Sequence, residues 1–369
     1  MNIIIYEDEG YKKFLPLTWT RPVYNLRCGI STLAEKIIRH YPKNKAEHSC
    51  RYYLPGNKLM KFEKGLFING RVLMDARLAK EITVKGQDQV FVAGDEIIAI
   101  RAVSGTFDQV RKKAKIKKIR VKVAKNLWDL IRENGEQVKE DWNYLRKKKR
   151  NKIKIDKSVV FYNRGQVFID EGVTIEANSV VDARGGPIFI GKGTIVKPLT
   201  YLKGPLSIGP DCRVGGEVGE SIFHGRVNKQ HYGFIGHSYV GEWVNLGAGT
   251  TNSDLKNNYN PVKMLVNGKR VDTGEKFVGC FIGDHAKTGI GTLITTGATI
   301  GVAANVFGGG VTPKATPSFS WGNKYIHNIQ RAVETAIAVM WRRGIKMTDA
   351  DSDLLKQVFK LTAGERKRN

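Results

Sequence analysis

Aliphatic residues recur at every sixth position through the middle of this chain. Ile190, Val196, Leu202, Ile208 and Val214 fall six apart, and Ile282, Thr288, Ile294, Ile300 and Val306 repeat the spacing with one threonine. Between the two series, IGHSYVG and WVNLGAG supply Ile235, Val240 and Leu246, each followed directly by Gly236, Gly241 or Gly247. A helix repeats at 3.6 residues and a strand at two, so neither explains the rhythm. A β-sandwich, built on period two, does not hold period six over five units. A chain that turns a corner every few residues does, with one apolar residue per side pointing inward and a small residue at the bend. The spacing therefore predicts a parallel β-helix, in which short strands stack and bury a continuous apolar ladder.

The coil opens at VFIDEGVTIEANSVVDARGGPIFIGKG, where Gly185-Gly186-Pro187 allows a sharp corner. It is interrupted at residues 257–279, NNYNPVKMLVNGKRVDTGEKFVG, a stretch too long for a corner that carries Lys263, Lys269, Arg270 and Lys276. Long excursions from a regular scaffold are where function collects. Ahead of the coil, Asn2 to Tyr6 reads as a buried strand, Ile30 to Tyr41 as a helix capped by Ser31, and GLFING as a second strand ending in Asn69-Gly70-Arg71. MDARLAKEI reads as a short helix, QVFVAGDEIIAIR as a hairpin turning at Gly94-Asp95, and NLWDLIRENGEQVKEDWNYL as a helix. Strands alternating with helices predict an α/β sheet with ligands at the strand ends. After the coil, Ile329, Val333, Ile337, Met340 and Trp341 form a stripe at helical spacing. A helix packed on the coil or on a neighbouring subunit is the expectation there. Asp351 to Lys360 reads as a second helix and GERKRN as a frayed end. Three segments result: an α/β domain at 1–155, the coil at 156–315 and a helical tail at 316–369.

The chain has 369 residues, with 61 Lys plus Arg against 35 Asp plus Glu and a net charge of +26. That balance would suit nucleic acid, an anionic membrane or phosphorylated substrates. The charge is dense at Arg111 to Lys125 and Arg146 to Lys157 and scattered elsewhere. No zinc-finger, RNP or basic-zipper pattern accompanies it, so it reads as a lysine-rich solvated surface rather than a nucleic-acid interface. Cys28, Cys50, Cys212 and Cys280 are widely separated and show neither metal-ligand spacing nor a disulfide framework. MNIIIYEDEGY is too short an apolar run for a signal peptide, and no stretch approaches membrane-spanning length. The expectation is a cytoplasmic protein with reduced thiols and no membrane contact.

With these residues in place the chain resembles the bifunctional N-acetylglucosamine-1-phosphate uridylyltransferases that are also glucosamine-1-phosphate N-acetyltransferases. The order strand, loop with Arg-Pro, helix, strand ending in Asn-Gly is similar to their nucleotidyltransferase domain. More narrowly, PLTWTRPVYNLRCGIST at residues 16–32 matches the PLTxTRPVxxLRxGIxT opening of a branch of sugar nucleotidyltransferases. The resemblance covers nearly the whole chain. It implies a Rossmann-type first domain, a left-handed coil and a homotrimer with acyl-CoA sites between neighbouring coils. In the coil it implies His231 as general base, with Glu217, Asn245, Asp254 and Lys276 around the substrate. Histidine titrates in the range that suits taking a proton from an attacking amine. His224, His237 and His285 are rivals. The implied cosubstrate is acetyl-CoA, and the other partners are a sugar phosphate and a nucleoside triphosphate or sugar nucleotide.

Departures from the family pattern are concentrated in a few residues. Its glycine-rich triphosphate loop is reduced here to Gly10, and its Asn-Gly-Asp, whose aspartate holds magnesium, is Asn69-Gly70-Arg71. Arg21 falls where the family has a phosphate-contacting lysine, so Arg21, Asn69 and Arg71 are the candidates for phosphate. Either Mg2+ is held by Glu7, Asp8 or Asp75, or the first domain binds without catalysing. In the coil, a family tyrosine is Phe234, a lysine is Gly219 and an asparagine is Asp254. Transfer to another sugar 1-phosphate, and a non-catalytic sugar-nucleotide binder, remain open beside the acetyltransferase reading.

Overall fold

The computed structural model describes residues 1–55, 64–145, 151–322 and 324–367. Contacts divide it into two units, 1–14 with 21–26 and 31–126, and 15–20 with 27–30 and 127–369.

The first unit is a six-stranded mixed sheet of β1 (Ile3–Tyr6), β2 (Ala46–Ser49), β3 (Gly65–Asn69), β4 (Gln89–Ala93), β5 (Glu96–Ala102) and β6 (Lys115–Lys118), in the order β2-β1-β3-β5-β4-β6. β1 runs parallel to β3 with Tyr6 opposite Asn69, so the chain leaves both strands at the same edge. That register brings Glu7 and Asp8 beside Arg71. β1 and β3 are buried along their whole length, as a central strand covered on both faces requires. Helix α1 is Leu33–Ile38, shorter than the sequence reading, and Thr32 rather than Ser31 caps it. The reason is a capping box: Thr32 and Glu35 bond each other's backbone N–H, while Ser31 is buried. Helices α2 (Ala76–Glu81) and α3 (Phe107–Lys113) complete the unit. The reading of 111–125 as charged surface missed α3's end and β6. β6 is an exposed edge strand, KIKK, whose lysines discourage pairing with another chain.

In the second unit three ladders of short parallel strands run side by side. The first face stacks 154–155, 174–175, 195–196, 213–214, 228–229, 245–246, 287–288 and 305–306; the second stacks 160–162, 180–182, 201–203, 217–219 and 234–236; the third runs from 167–169 to 315–316. This is the parallel β-helix. All the aliphatic residues of the six-residue series are buried in one core cluster. Thr288 fits among them because its hydroxyl meets Thr250 Oγ1 at 2.7 Å and accepts the Gly247 N–H at 3.1 Å. The excursion holds an antiparallel hairpin, Lys263–Val266 with Lys269–Asp272, turned at Asn267-Gly268. Both turn residues have positive φ, the geometry that Asn-Gly favours in a two-residue hairpin.

Helix α4 (Leu127–Leu145), which the sequence reading puts with the first domain, packs on the coil's third face. Trp142 stacks on Phe168 at 4.6 Å, and Asn134 Oδ1 accepts from Ser207 Oγ at 2.9 Å. The outward Phe168 and Phe189 need such a cover. In the tail, α5 (Ile329–Trp341) buries Ala332, Val333, Ala336 and Met340, whereas Ile337 and Trp341 of the expected stripe are exposed. Helix α6 (Asp349–Leu361) follows, then α7 (Ala363–Arg366). Within the expected frayed end, two residues are held: Glu365 accepts from Trp19 Nε1 and Ser318 N–H at 3.0 and 2.9 Å, and Arg366 donates to Phe359 O at 2.6 Å. Residues 146–150 of the basic run and 368–369 of the tail lie outside the described residues.

Candidate functional site

Residue 229 occupies an inward position of the first face, in register with Val214 and one rung below Leu246. The residue there is a lysine, only 2% exposed. Its ammonium is satisfied by two carbonyls, Gly215 O at 2.8 Å and His231 O at 2.5 Å. The aliphatic stem fills the ladder while the charge ties down the turn that carries His231. His231 itself is exposed, and its Nε2 lies 3.5 Å from Gln230 Nε2. Burial pushes Lys229 down to about 8. A lysine titrating lower when folded than unfolded binds fewer protons in the native state between those values. Stability should therefore rise with pH from about 8 toward the ordinary lysine range. Thermal melting of wild type and Lys229→Met compared across pH 7.5–10 should diverge as this contribution appears; profiles that stay parallel would exclude the buried charge. Lys287, pushed by burial to the same value, contributes with the same sign.

Gln230 and Asn245 both line a pocket of about 270 Å³ on the coil's first face. Asn245 Oδ1 accepts from Asn228 Nδ2 at 2.6 Å. The other walls are cationic: Arg213, Arg226 and Lys287 from the coil, Arg342 and Arg343 from the end of α5. Arg226 is paired with Glu242 and lies over the Trp243 ring, 5.3 Å from its centroid. Arg343 donates to Asp211 O at 3.1 Å; burial, then Arg213 and Arg342, holds its pKa below the ordinary arginine value. Sequence reasoning missed these five residues. Their signal was there only as WRRG closing a helical stripe and as isolated cations in successive rungs.

His237 is in a second place, a turn after the second face, with φ of +46°. Its Nδ1 meets Asp254 Oδ2 at 2.8 Å, its Nε2 faces Glu220 Oε2 at 3.6 Å, and its ring stacks on Phe277 at 5.1 Å. The ring lines a cavity of about 440 Å³ together with Glu220, Lys276 and Arg132. The structure thus splits the expected set. Asn245 lines the cationic pocket with Gln230, the residue before His231, while His231 itself is not among its walls; Asp254 and Lys276 go with His237, and Glu217 is exposed on the second face beside Phe234. The remaining rivals are engaged: His224 Nδ1 meets Tyr239 Oη at 3.0 Å and His285 stacks on Trp243. Cys212 and Cys280 are buried thiols pushed up to about 12, which makes them inert.

In the first unit, Arg71 is buried and all three guanidinium nitrogens are engaged. Nε and Nη2 bind Asp8 Oδ1 and Oδ2 at 2.8 and 2.5 Å, Nη2 binds Glu96 Oε2 at 2.6 Å, and Nη1 donates to Ala124 O at 3.2 Å. Asn69 Nδ2 donates to Asp8 Oδ2 at 2.9 Å, and its Oδ1 accepts the Arg71 N–H. Burial opposes the charge of Asp8, but the Arg71 hydrogen bonds outweigh it and hold that carboxyl below its usual range. Gly10 is required by this arrangement, since a Cβ there would lie 2.5 Å from Arg71 Nε. Glu7 binds Arg51 Nε at 2.8 Å and the Val23 N–H at 2.8 Å, and burial raises its pKa. Arg51 also donates to Arg21 O at 3.0 Å, which anchors the Arg21 loop. Asp75 caps α2 by accepting from Leu78 N–H at 2.6 Å. The three proposed magnesium ligands are each committed elsewhere, and a guanidinium lies between Asp8 and Glu96. Among the described residues no group of three acidic, His or Cys side chains is placed to hold a metal. These donors do not fit a resident Mg2+.

Residues 3–150 match a family model described as sugar nucleotidyl transferase. The chain is 32% identical over 151 residues to a bifunctional sugar-1-phosphate nucleotidylyltransferase/acetyltransferase of Sulfurisphaera tokodaii, a match covering 40% of this chain and 37% of that one. It is 32% identical over 179 residues to the bifunctional protein GlmU of Methanocaldococcus jannaschii, covering 47% of this chain and 40% of that protein. The chain thus spans less than half the length of these curated relatives. Among solved structures it is similar to a hexapeptide transferase family protein from Anaplasma phagocytophilum, at 11% identity and a TM-score of 0.15, covering 58% of this chain and 92% of that one.

Proposed function

We propose that this chain is a transferase of amino-sugar nucleotide synthesis, whose coil moves acetyl from acetyl-CoA to the amine of an amino-sugar phosphate. The observation that carries the reading is the cationic pocket that holds Asn245 and reaches His231 through Gln230. A phosphate held there leaves the rest of the sugar near the imidazole. The amine nitrogen attacks the thioester carbonyl, the N–C bond forms, the C–S bond breaks, and CoA leaves as the thiol. His231 takes the proton shed by the amine and returns it to the sulfur. Lys229 acts as a positioning residue by holding the His231 carbonyl. The Sulfurisphaera tokodaii relative supports this reading through the two activities in its name.

The assembly we read is a homotrimer. Leu199, Tyr232 and Ile290 stand on turns between the first and second faces and are 75%, 72% and 85% exposed. Exposed apolar residues on alternate rungs of the edge that carries His231 favour a site completed by a second copy. For the first unit we propose binding of a nucleoside triphosphate or sugar nucleotide, with Arg21 toward phosphate; the amide of Asn69 is engaged by Asp8, Ile97 O and the Arg71 N–H. The engagement of Arg71 favours binding without nucleotidyl transfer. One preparation tests the proposal: light scattering should give three times the 41.2 kDa chain mass, and the same fraction should release free thiol from acetyl-CoA only when an amino-sugar phosphate is present. A monomer without thiol release on glucosamine 1-phosphate, its isomers or a nucleotide-linked amino sugar would sink it.

A further inference from the structure

We infer that the phosphate held by the cationic pocket under the end of α5 is part of a nucleotide diphosphate, so that the acyl acceptor is a nucleotide-linked amino sugar. This deepens the acyl-transfer reading, because Asn245 and Gln230 belong to both. Five cations converge on about 270 Å³. Only Arg226 is matched, by Glu242, with Asp211 4.0 Å from its Nε. Arg213, Lys287, Arg342 and Arg343 are in no ion pair among the described residues, and Asp211 offers Arg343 its backbone oxygen rather than its carboxylate. A phosphate monoester carries at most two negative charges, so four unmatched cations exceed it. Carbonyls take some of their donors, His285 O for Lys287 and Gly193 O and Cys212 O for Arg213, but no paired anion among the described residues offsets their mutual repulsion, and a second phosphate relieves more of it. The plainer explanation, that cations favour a helix C-terminus, covers Arg342 and Arg343 but not Arg213 or Lys287, which come from separate rungs of the coil. The lowered pKa of Lys287 is what an unmatched cation in this pocket would show, and a bound dianion would raise it again.

The test is calorimetry on the full chain with inorganic phosphate, inorganic pyrophosphate and UDP. Pyrophosphate should bind at least about tenfold more tightly than phosphate, the worth of one further charge-assisted contact, and UDP should displace it. Arg342 is exposed, so Arg342→Ala should leave the fold intact and weaken both diphosphates by about tenfold, with Arg342→Lys recovering part of the loss. His231→Ala should bind pyrophosphate as the wild type does, which separates this result from any failure of acetyl transfer. Equal affinity for phosphate and pyrophosphate, no response to the Arg342→Ala/Arg343→Ala double variant, or pyrophosphate that UDP does not displace would each overturn the inference.

Discussion

His231→Ala should lower acetyl transfer by about 10²- to 10⁴-fold, the usual cost of removing a general base, while leaving the coil folded. The fold should survive because the side chain is exposed; what the turn depends on is the His231 carbonyl, held by Lys229, which alanine keeps. The loss should fall on kcat, since the imidazole acts on a proton that moves only during reaction. Binding of phosphorylated ligands, which rests on the cationic pocket, should persist. His237 supplies the control. It has a carboxylate on Nδ1 and a cavity beside its ring, the arrangement expected of a base oriented by an acid. If His231→Ala keeps full thiol release and His237→Ala loses it, the base is the second histidine and the site lies at the foot of the excursion.

Arg71→Ala should destabilise the first unit by about 3–5 kcal/mol, the cost of breaking a buried ion pair by removing one partner. Asp8 and Glu96 would face each other across the space the guanidinium leaves, and Ala124 O would lose its donor. The effect should depend on pH. The folded pKa of Asp8 is depressed, so its stabilisation is present above the unfolded value near 3.8 and is lost as pH falls through the folded one. Wild type and variant should therefore converge in acid. Urea unfolding followed in the first unit measures both. If Arg71→Ala unfolds like the wild type and loses only nucleotide affinity, the arginine is a phosphate clamp and the ion pairs contribute little. Arg71→Asp would add a third carboxylate to the cluster; magnesium-dependent turnover appearing in that variant would mean the substitution had restored a metal site.

The coil was legible because its constraint is local and repeated. Each rung must place one aliphatic residue inward and bend its backbone, so the period writes the architecture into Ile190 to Val306 before any contact is known. The strands ending at Tyr6 and Asn69 were legible for the same reason, as continuous apolar runs. The helix placements were less so. Thr32 displaced Ser31 because a cap is decided by a reciprocal bond three residues on, and α5 buries Ala332 and Ala336 where the periodicity pointed to Ile337 and Trp341.

What the sequence by itself determined was the kind of ladder and the candidate residues standing on it. Only the tertiary structure decided which of them share a site. Arg213, Arg226, Lys287, Arg342 and Arg343 span 130 residues of chain, and stacked rungs with a returning helix bring them to one pocket. Charge is additive in space and not along the chain, so a scattered +26 could not show that convergence. Arg71 is the converse case. Its position promised a phosphate contact, but the parallel register of β1 and β3 sets Asp8 against it, and its donors are engaged before any ligand arrives.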